Sequence, residues 1–117
     1  MPRLDHINIH ARDVAAMAAF LEAIVGAKPG FRPPFEHPGH WLYLDGLPAI
    51  HLDHARGDEH PGGVVDHLAF GVYDYEPLIA RVKASGYPYQ LAGIPGGVGQ
   101  VFVTGPEGIR IELQYHR

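Results

Sequence analysis

Apolar and polar residues alternate with a period of two over residues 4–10 and again over 65–72, the spacing of a strand with one buried face. In the first stretch Ile7 and Ile9 fall on one side and His6 and Asn8 on the other; in the second, Leu68 and Phe70 oppose His67. Asp13 and Asp74 then precede segments whose apolar residues recur at three- and four-residue intervals. Val14, Met17, Ala18, Leu21, Ile24 and Val25 make one helical face, and Leu78, Ile79 and Val82 make another. Each aspartate is placed to cap its helix by accepting a backbone N–H. Gly26 and Gly86 stand where a left-handed residue ends a helix, and Pro77 falls in a first turn, which tolerates it. Three short strands are predicted after each helix, at 28–35, 40–44 and 49–53, then at 87–93, 99–104 and 109–115. "DGLP" and "TGPEG" supply the turns before the last strand of each set.

The chain repeats itself. A shift of 61 positions lays "LDHI" on "VDHL", Asp13 on Asp74, and Ile50-His51-Leu52 on Ile111-Glu112-Leu113, with no gap between these anchors. Two βαβββ modules follow, at 1–56 and 62–117, joined by a connector at 57–61 within the polar, Gly/Pro-rich stretch "ARGDEHPGG". The 117 residues therefore read as a single α+β domain.

Strand parity then selects the chemistry. Ile109, Ile111 and Leu113 share one face of the last strand and Arg110, Glu112 and Gln114 the other; Ile50 and Leu52 oppose His51. The aliphatic faces go to the helices. His6, His51, His67 and Glu112 are left on the opposite faces, looking into a shared concavity. One ionisable residue on each of four strands, in two repeat-related pairs, suits a divalent ion such as Zn²⁺, Fe²⁺, Ni²⁺ or Mn²⁺. Trp41 and Phe102 are also 61 positions apart and share the phase of Tyr43 and Gln100, so they are expected to line an apolar wall for a small-molecule substrate. Asn8, Arg110 and Gln114 share the ligand-facing parity and are expected to orient ligands or hold an anionic substrate group.

Composition narrows the classes. Hydrophobic residues make up 46% and charged residues 19%, a globular balance, and no apolar run approaches the roughly 20 residues of a membrane span. The N-terminal residues lack a secretory pattern, so a cytoplasmic location is expected. Zero cysteines remove thiolate ligands and cysteine nucleophiles. The net charge of −4, with Lys and Arg scattered singly, provides no footprint for nucleic acid or acidic membrane. Of the nine histidines, His37, His40, His54, His60 and His116 fall near turns and termini and read as surface residues. "PGGVG" at 95–99 is too short and too poorly placed for a phosphate-binding loop.

Paired modules opened by "LDHI" and "VDHLAF" and closed by "AIHL" and "VFVTGPEGIRIEL" resemble the vicinal oxygen chelate superfamily. This group holds glyoxalases, bleomycin-resistance proteins, extradiol dioxygenases, fosfomycin-resistance transferases and methylmalonyl-CoA epimerases. The resemblance spans essentially the whole chain, and "PEGIRIEL" is its most specific piece. It implies a glyoxalase-like domain whose sheets roll into a partly open barrel, with helices on the outer face, around a metal. It also places the metal ligands at His6, His51, His67 and Glu112. Where His51 stands, lactoylglutathione lyases usually carry glutamate and the epimerases glutamine. The activity implied is lyase or isomerase chemistry through a metal-stabilised enolate, with Glu112 leaving the metal to accept a proton from carbon. The alternatives are an extradiol-type dioxygenase using His6, His67 and Glu112, a fosfomycin-type thiol transferase, and a metal-free drug-binding protein of the bleomycin-resistance kind. A homodimer is expected, because relatives usually dimerise and open sheets leave edges to cover.

Overall fold

The computed structural model describes residues 4–55, 57, 65, 67–93 and 98–116. Most of the predicted connector, His60, and residues 95–97 of the Gly-rich stretch lie outside the described residues. The first module comprises β1 (Ile7–Ala11), α1 (Val14–Val25), β2 (Lys28–Pro29), β3 (Gly39–Leu44) and β4 (Leu47–His54). The second comprises β5 (Leu68–Tyr73), α2 (Tyr75–Ser85), β6 (Tyr89–Gly93), β7 (Gly99–Thr104), a 3-10 turn at Pro106–Gly108 and β8 (Arg110–Tyr115). The predicted α+β class with two βαβββ modules is what the chain adopts. Each module forms an open four-stranded sheet, ordered β1-β4-β3-β2 and β5-β8-β7-β6. The first strand of each runs parallel to the last, and the remaining pairs are antiparallel. Among the described residues, no helix is long and apolar enough to cross a membrane.

The repeat extends to the pairing around His51 and Glu112. Asn8 lies opposite His51 and Trp41 opposite His51; 61 positions on, Ala69 and Phe102 both lie opposite Glu112. Local signals account for much of this. Asp13 caps α1, its Oδ1 accepting the Ala16 N–H at 2.9 Å, and Gly26 closes the helix at φ 88°. Asp45 and Gly46 both take positive φ in the two-residue turn between β3 and β4, as a tight hairpin requires.

Three expectations need correction. Asp74 precedes α2 but its side chain makes no capping hydrogen bond. The third helical residue, which donated to Asp13 in α1, is here Pro77, which has no N–H to offer. The strand predicted at 28–35 survives only as Lys28–Pro29, because Pro33 and Pro34 cannot donate to a ladder. Strands β1 and β5 start later than predicted, so His6 and His67 stand one residue ahead of them.

The two apolar sheet faces share one core. Ile50, Leu52 and Leu42 from one sheet and Val101, Val103, Ile111 and Leu113 from the other are fully buried with Met17, Phe20, Leu21 and Ile24 of α1. Helix α1 is the joint between the modules. Phe20 meets the Tyr87 ring edge-on at 4.7 Å, and its ring lies so close to Gly105 that a Cβ there would stand 2.5 Å from it. At the start of α1, the Glu107 carboxylate accepts the Arg12 and Asp13 N–H groups at 2.8 and 3.0 Å. At its end, the Tyr73 hydroxyl donates to the Val25 carbonyl at 3.0 Å and Arg81 approaches the Ile24 carbonyl at 3.5 Å.

Replacing Glu107 by Ala removes two charge-assisted hydrogen bonds at the N-terminal end of α1. The expected cost is about 1–2 kcal/mol, discounted for partial exposure and read as a lower urea midpoint at unchanged slope.

Candidate metal centre

The four expected ligands fall into two pairs, one on each sheet, on the faces turned away from the shared core. Among the described residues no three histidine or acidic side chains gather at one point. Within one chain the four are therefore not gathered at a single point. Both pairs are internally ordered.

On the second sheet, His67 Nε2 lies 3.2 Å from Glu112 Oε1. Glu112 is 5% exposed. Its other oxygen, Oε2, accepts the Gln114 amide at 2.9 Å and the Gln100 amide at 3.1 Å. Burial alone would raise the Glu112 pKa, but the amides of Gln114 and Gln100 and the neighbouring His67 outweigh it and hold the carboxyl below its ordinary range. The ring of Phe102 meets His67 edge-on at 5.6 Å, and the Arg110 guanidinium lies over its face at 4.4 Å. Both residues thus border the pair. Gln100 shares the phase of Phe102, but only the folded sheet reveals its bond to Glu112.

On the first sheet, three rings form a stack. His6 and His51 lie 4.0 Å apart at 12°, and Trp41 covers the other side of His51 at 4.1 Å and 10°. His6 Nδ1 is 2.8 Å from Asp5 Oδ2. A carboxylate there accepts from Nδ1–H and leaves Nε2 as the ring's donor to a metal, a common arrangement for metal-bound imidazole. His51 Nε2 is 3.1 Å from the Pro48 carbonyl, which only accepts, so the proton sits on Nε2 and the lone pair on Nδ1. Burial and the adjacent His6 hold His51 below its ordinary pKa, against the pull of the Pro48 carbonyl and the nearby carboxylates. Two nearly parallel imidazoles stacked in this way cannot share an ion lying in both ring planes; His51 reaches such an ion only by turning out of the stack. Tyr43, expected in the pocket wall, is engaged elsewhere. Its hydroxyl donates to the Phe31 carbonyl at 2.7 Å, and its ring packs on Gly30, bracing the loop before β3.

A polar cluster missed by the sequence reading adjoins the stack. Asp53, two residues after His51 and on the same face, accepts the Asn8 amide at 2.9 Å. Its other oxygen faces His37 at 3.3 Å and Arg32 at 3.7 Å. Burial opposes its ionisation, but Asn8, His37 and Arg32 together hold Asp53 below its ordinary pKa. Asp53, His37, His10 and His54 line an open cavity of about 290 Å³. The parity of Asp53 was readable; the return of the 30–38 loop that carries Arg32 and His37 onto it was not.

The second-sheet pair, His67 and Glu112, consists of donors of the kind a divalent ion takes. Two donors bonded at about 2.0–2.2 Å and roughly at right angles stand close to 3 Å apart, which matches His67 Nε2 and Glu112 Oε1.

The model of the Glyoxalase/Bleomycin resistance protein/Dioxygenase superfamily matches residues 3–113, and the chain belongs to that superfamily. No curated protein matches the sequence. Solved structures share the fold at low identity. A glyoxalase family protein from Bacillus anthracis superposes with a TM-score of 0.81 at 19% identity, covering 100% of this chain and 97% of that one. The fosfomycin resistance protein FosX from Listeria monocytogenes gives 0.77 at 20% identity, with 100% and 95% covered. Lactoylglutathione lyase from Agrobacterium tumefaciens gives 0.72 at 18%, with 98% and 94% covered.

Asp53→Ala withdraws the acceptor shared by Asn8, His37 and Arg32, whose side chain is only 14% exposed. A loss of about 1–2 kcal/mol is expected by calorimetric melting, with the Glu112 side of the molecule unaffected.

Proposed function

We propose that the chain is a divalent-metal-dependent enzyme of lyase or isomerase type, acting on a small substrate with two neighbouring oxygens. The observation that carries this is the ordered donor pair, His67 Nε2 and Glu112 Oε1, 3.2 Å apart on an uncovered sheet face. His6, its imidazole oriented by Asp5, supplies the third ligand, and His51 is the fourth candidate. Because both pairs face away from the shared core, the complete site forms where the first sheet of one copy meets the second sheet of another. The edge strands β1 and β5, each preceded by a candidate ligand, are the ones such an approach would cover. An ion bound there would act as a Lewis acid, drawing charge onto a chelated substrate oxygen.

The chain's own groups divide the remaining work. Glu112, held through Oε2, serves as a ligand and is poorly placed to swing away as the base. His51, whose Nε2–H is engaged by the Pro48 carbonyl so that the lone pair falls on Nδ1 and whose ring is held by Trp41, is the better proton acceptor. Trp41 and Phe102 border the site with apolar surface. Arg110, over Phe102, is placed to meet an anionic part of the substrate. A second reading, oxygen-dependent ring cleavage with iron on His6, His67 and Glu112, is favoured by one observation: the stacked His51 leaves other coordination positions open.

A mixing experiment tests the shared site. Neither His6→Ala nor His67→Ala alone is expected to bind a full complement of metal. Refolded together, they are expected to recover about one intact site in half of the dimers, since a mixed dimer pairs two wild-type halves at one of its two sites. Recovery of nothing on mixing would show that each site is built within one chain.

The role of His51 is tested separately. His51→Ala is expected to keep stoichiometric Zn²⁺ or Mn²⁺ while turnover falls about 100-fold or more on whichever of a hemithioacetal, a coenzyme A thioester or a catechol the wild type accepts. Loss of the metal along with turnover would make His51 a ligand instead.

A further inference from the structure

We infer that Gln100 and Gln114 are positioning residues that fix Glu112 as a metal ligand through one oxygen only; the inference rests on the metal reading above. The two glutamines lie directly opposite one another on β7 and β8, and Phe102 and Glu112 form the next pair on the same face. Both amides therefore reach the same carboxylate from one side, and both donate to the same atom, Oε2. A carboxylate oxygen offers two in-plane lone pairs, so two amide donors use its capacity. Oε1 is left facing His67. Turning the carboxylate away would strip two part-buried amides of their acceptor, a cost that holds the group in place.

The arrangement is built rather than incidental. Gln114 is itself packed by Gly71 on β5, where a Cβ would stand 3.0 Å from the Gln114 Cβ and 3.2 Å from its Oε1. The repeat provides an internal control. At the positions 61 residues earlier the first module carries Gly39 and Asp53, and its own residue in the place of Glu112, His51, is held through a backbone carbonyl instead. The glutamines accompany the carboxylate and are not a requirement of the sheet.

The test is calorimetric titration of Zn²⁺ into metal-free wild type, the Gln100→Met/Gln114→Met double variant, and Glu112→Gln. Methionine keeps the length and volume and removes the amide. The double variant is expected to bind Zn²⁺ about 10–100-fold more weakly, with a metal-free melting temperature close to that of wild type. In Glu112→Gln the two amides retain the carbonyl oxygen and turn the new NH₂ toward His67, so Zn²⁺ binding is expected to be lost. A carboxylate free to swing predicts the opposite, metal retained and only turnover lost. Unchanged affinity in the double variant, with wild type binding Zn²⁺, overturns the inference alone. Wild type that takes up no Zn²⁺ defeats the metal reading and the ligand-fixing role with it. Should the double variant fold poorly, the metal-free wild type still decides. Its Gln100 and Gln114 side-chain amide resonances are expected to shift in Glu112→Gln, and resonances that stay in place rule the clamp out.

Discussion

Helix α1 is held at both ends by the other module, and the geometry of the molecule follows from that grip. The Glu107 carboxylate takes the N–H groups of Arg12 and Asp13, while Tyr73 and Arg81 meet the carbonyls of its last turn. Between these contacts Phe20 fills the space left by the missing side chain of Gly105. A short helix has orphan groups at each end; here groups distant in sequence meet them, so burial of one module's apolar face is inseparable from burial of the other's.

That shared core decides which way the chemistry points. Strand alternation sends Ile111 and Leu113 inward and therefore Glu112 outward, and it does the same for Ile50, Leu52 and His51. The histidines and the glutamate are not misplaced core residues but the obligatory reverse side of two well-packed strands. Each sheet turns one face away from the core, and each such face carries a pair of ionisable side chains, His6 with His51 on one and His67 with Glu112 on the other.

Much of this was legible from periodicity. The repeat, the helix faces and the parity of the four donors depend on local pattern, and local pattern is what a sequence displays. The losses came where residues far apart had to meet. Phe20 sits among the apolar residues of α1, yet nothing local says that its partners are Tyr87 and Gly105. Asp53 had the right phase, but its importance depends on the loop that returns Arg32 and His37 to it. The cap expected of Asp74 failed for a reason that was in view, since Pro77 occupies the donor position. Gln100 was assigned a face correctly, whereas its bond to Glu112 required the register of β7 against β8.

The 61-residue repeat leaves the two modules alike in backbone and unlike in second-rank side chains. Where one has glutamines flanking a buried carboxylate, the other has Gly39 and Asp53 beside a cavity and a proline-rich loop. Substitutions at Asp53, Arg32 and His37 act on the cavity beside the first sheet, whereas the Glu112 carboxylate on the second is held by contacts of its own. In a duplicated scaffold of this kind, a change to the polar contacts of one half need not disturb those of the other.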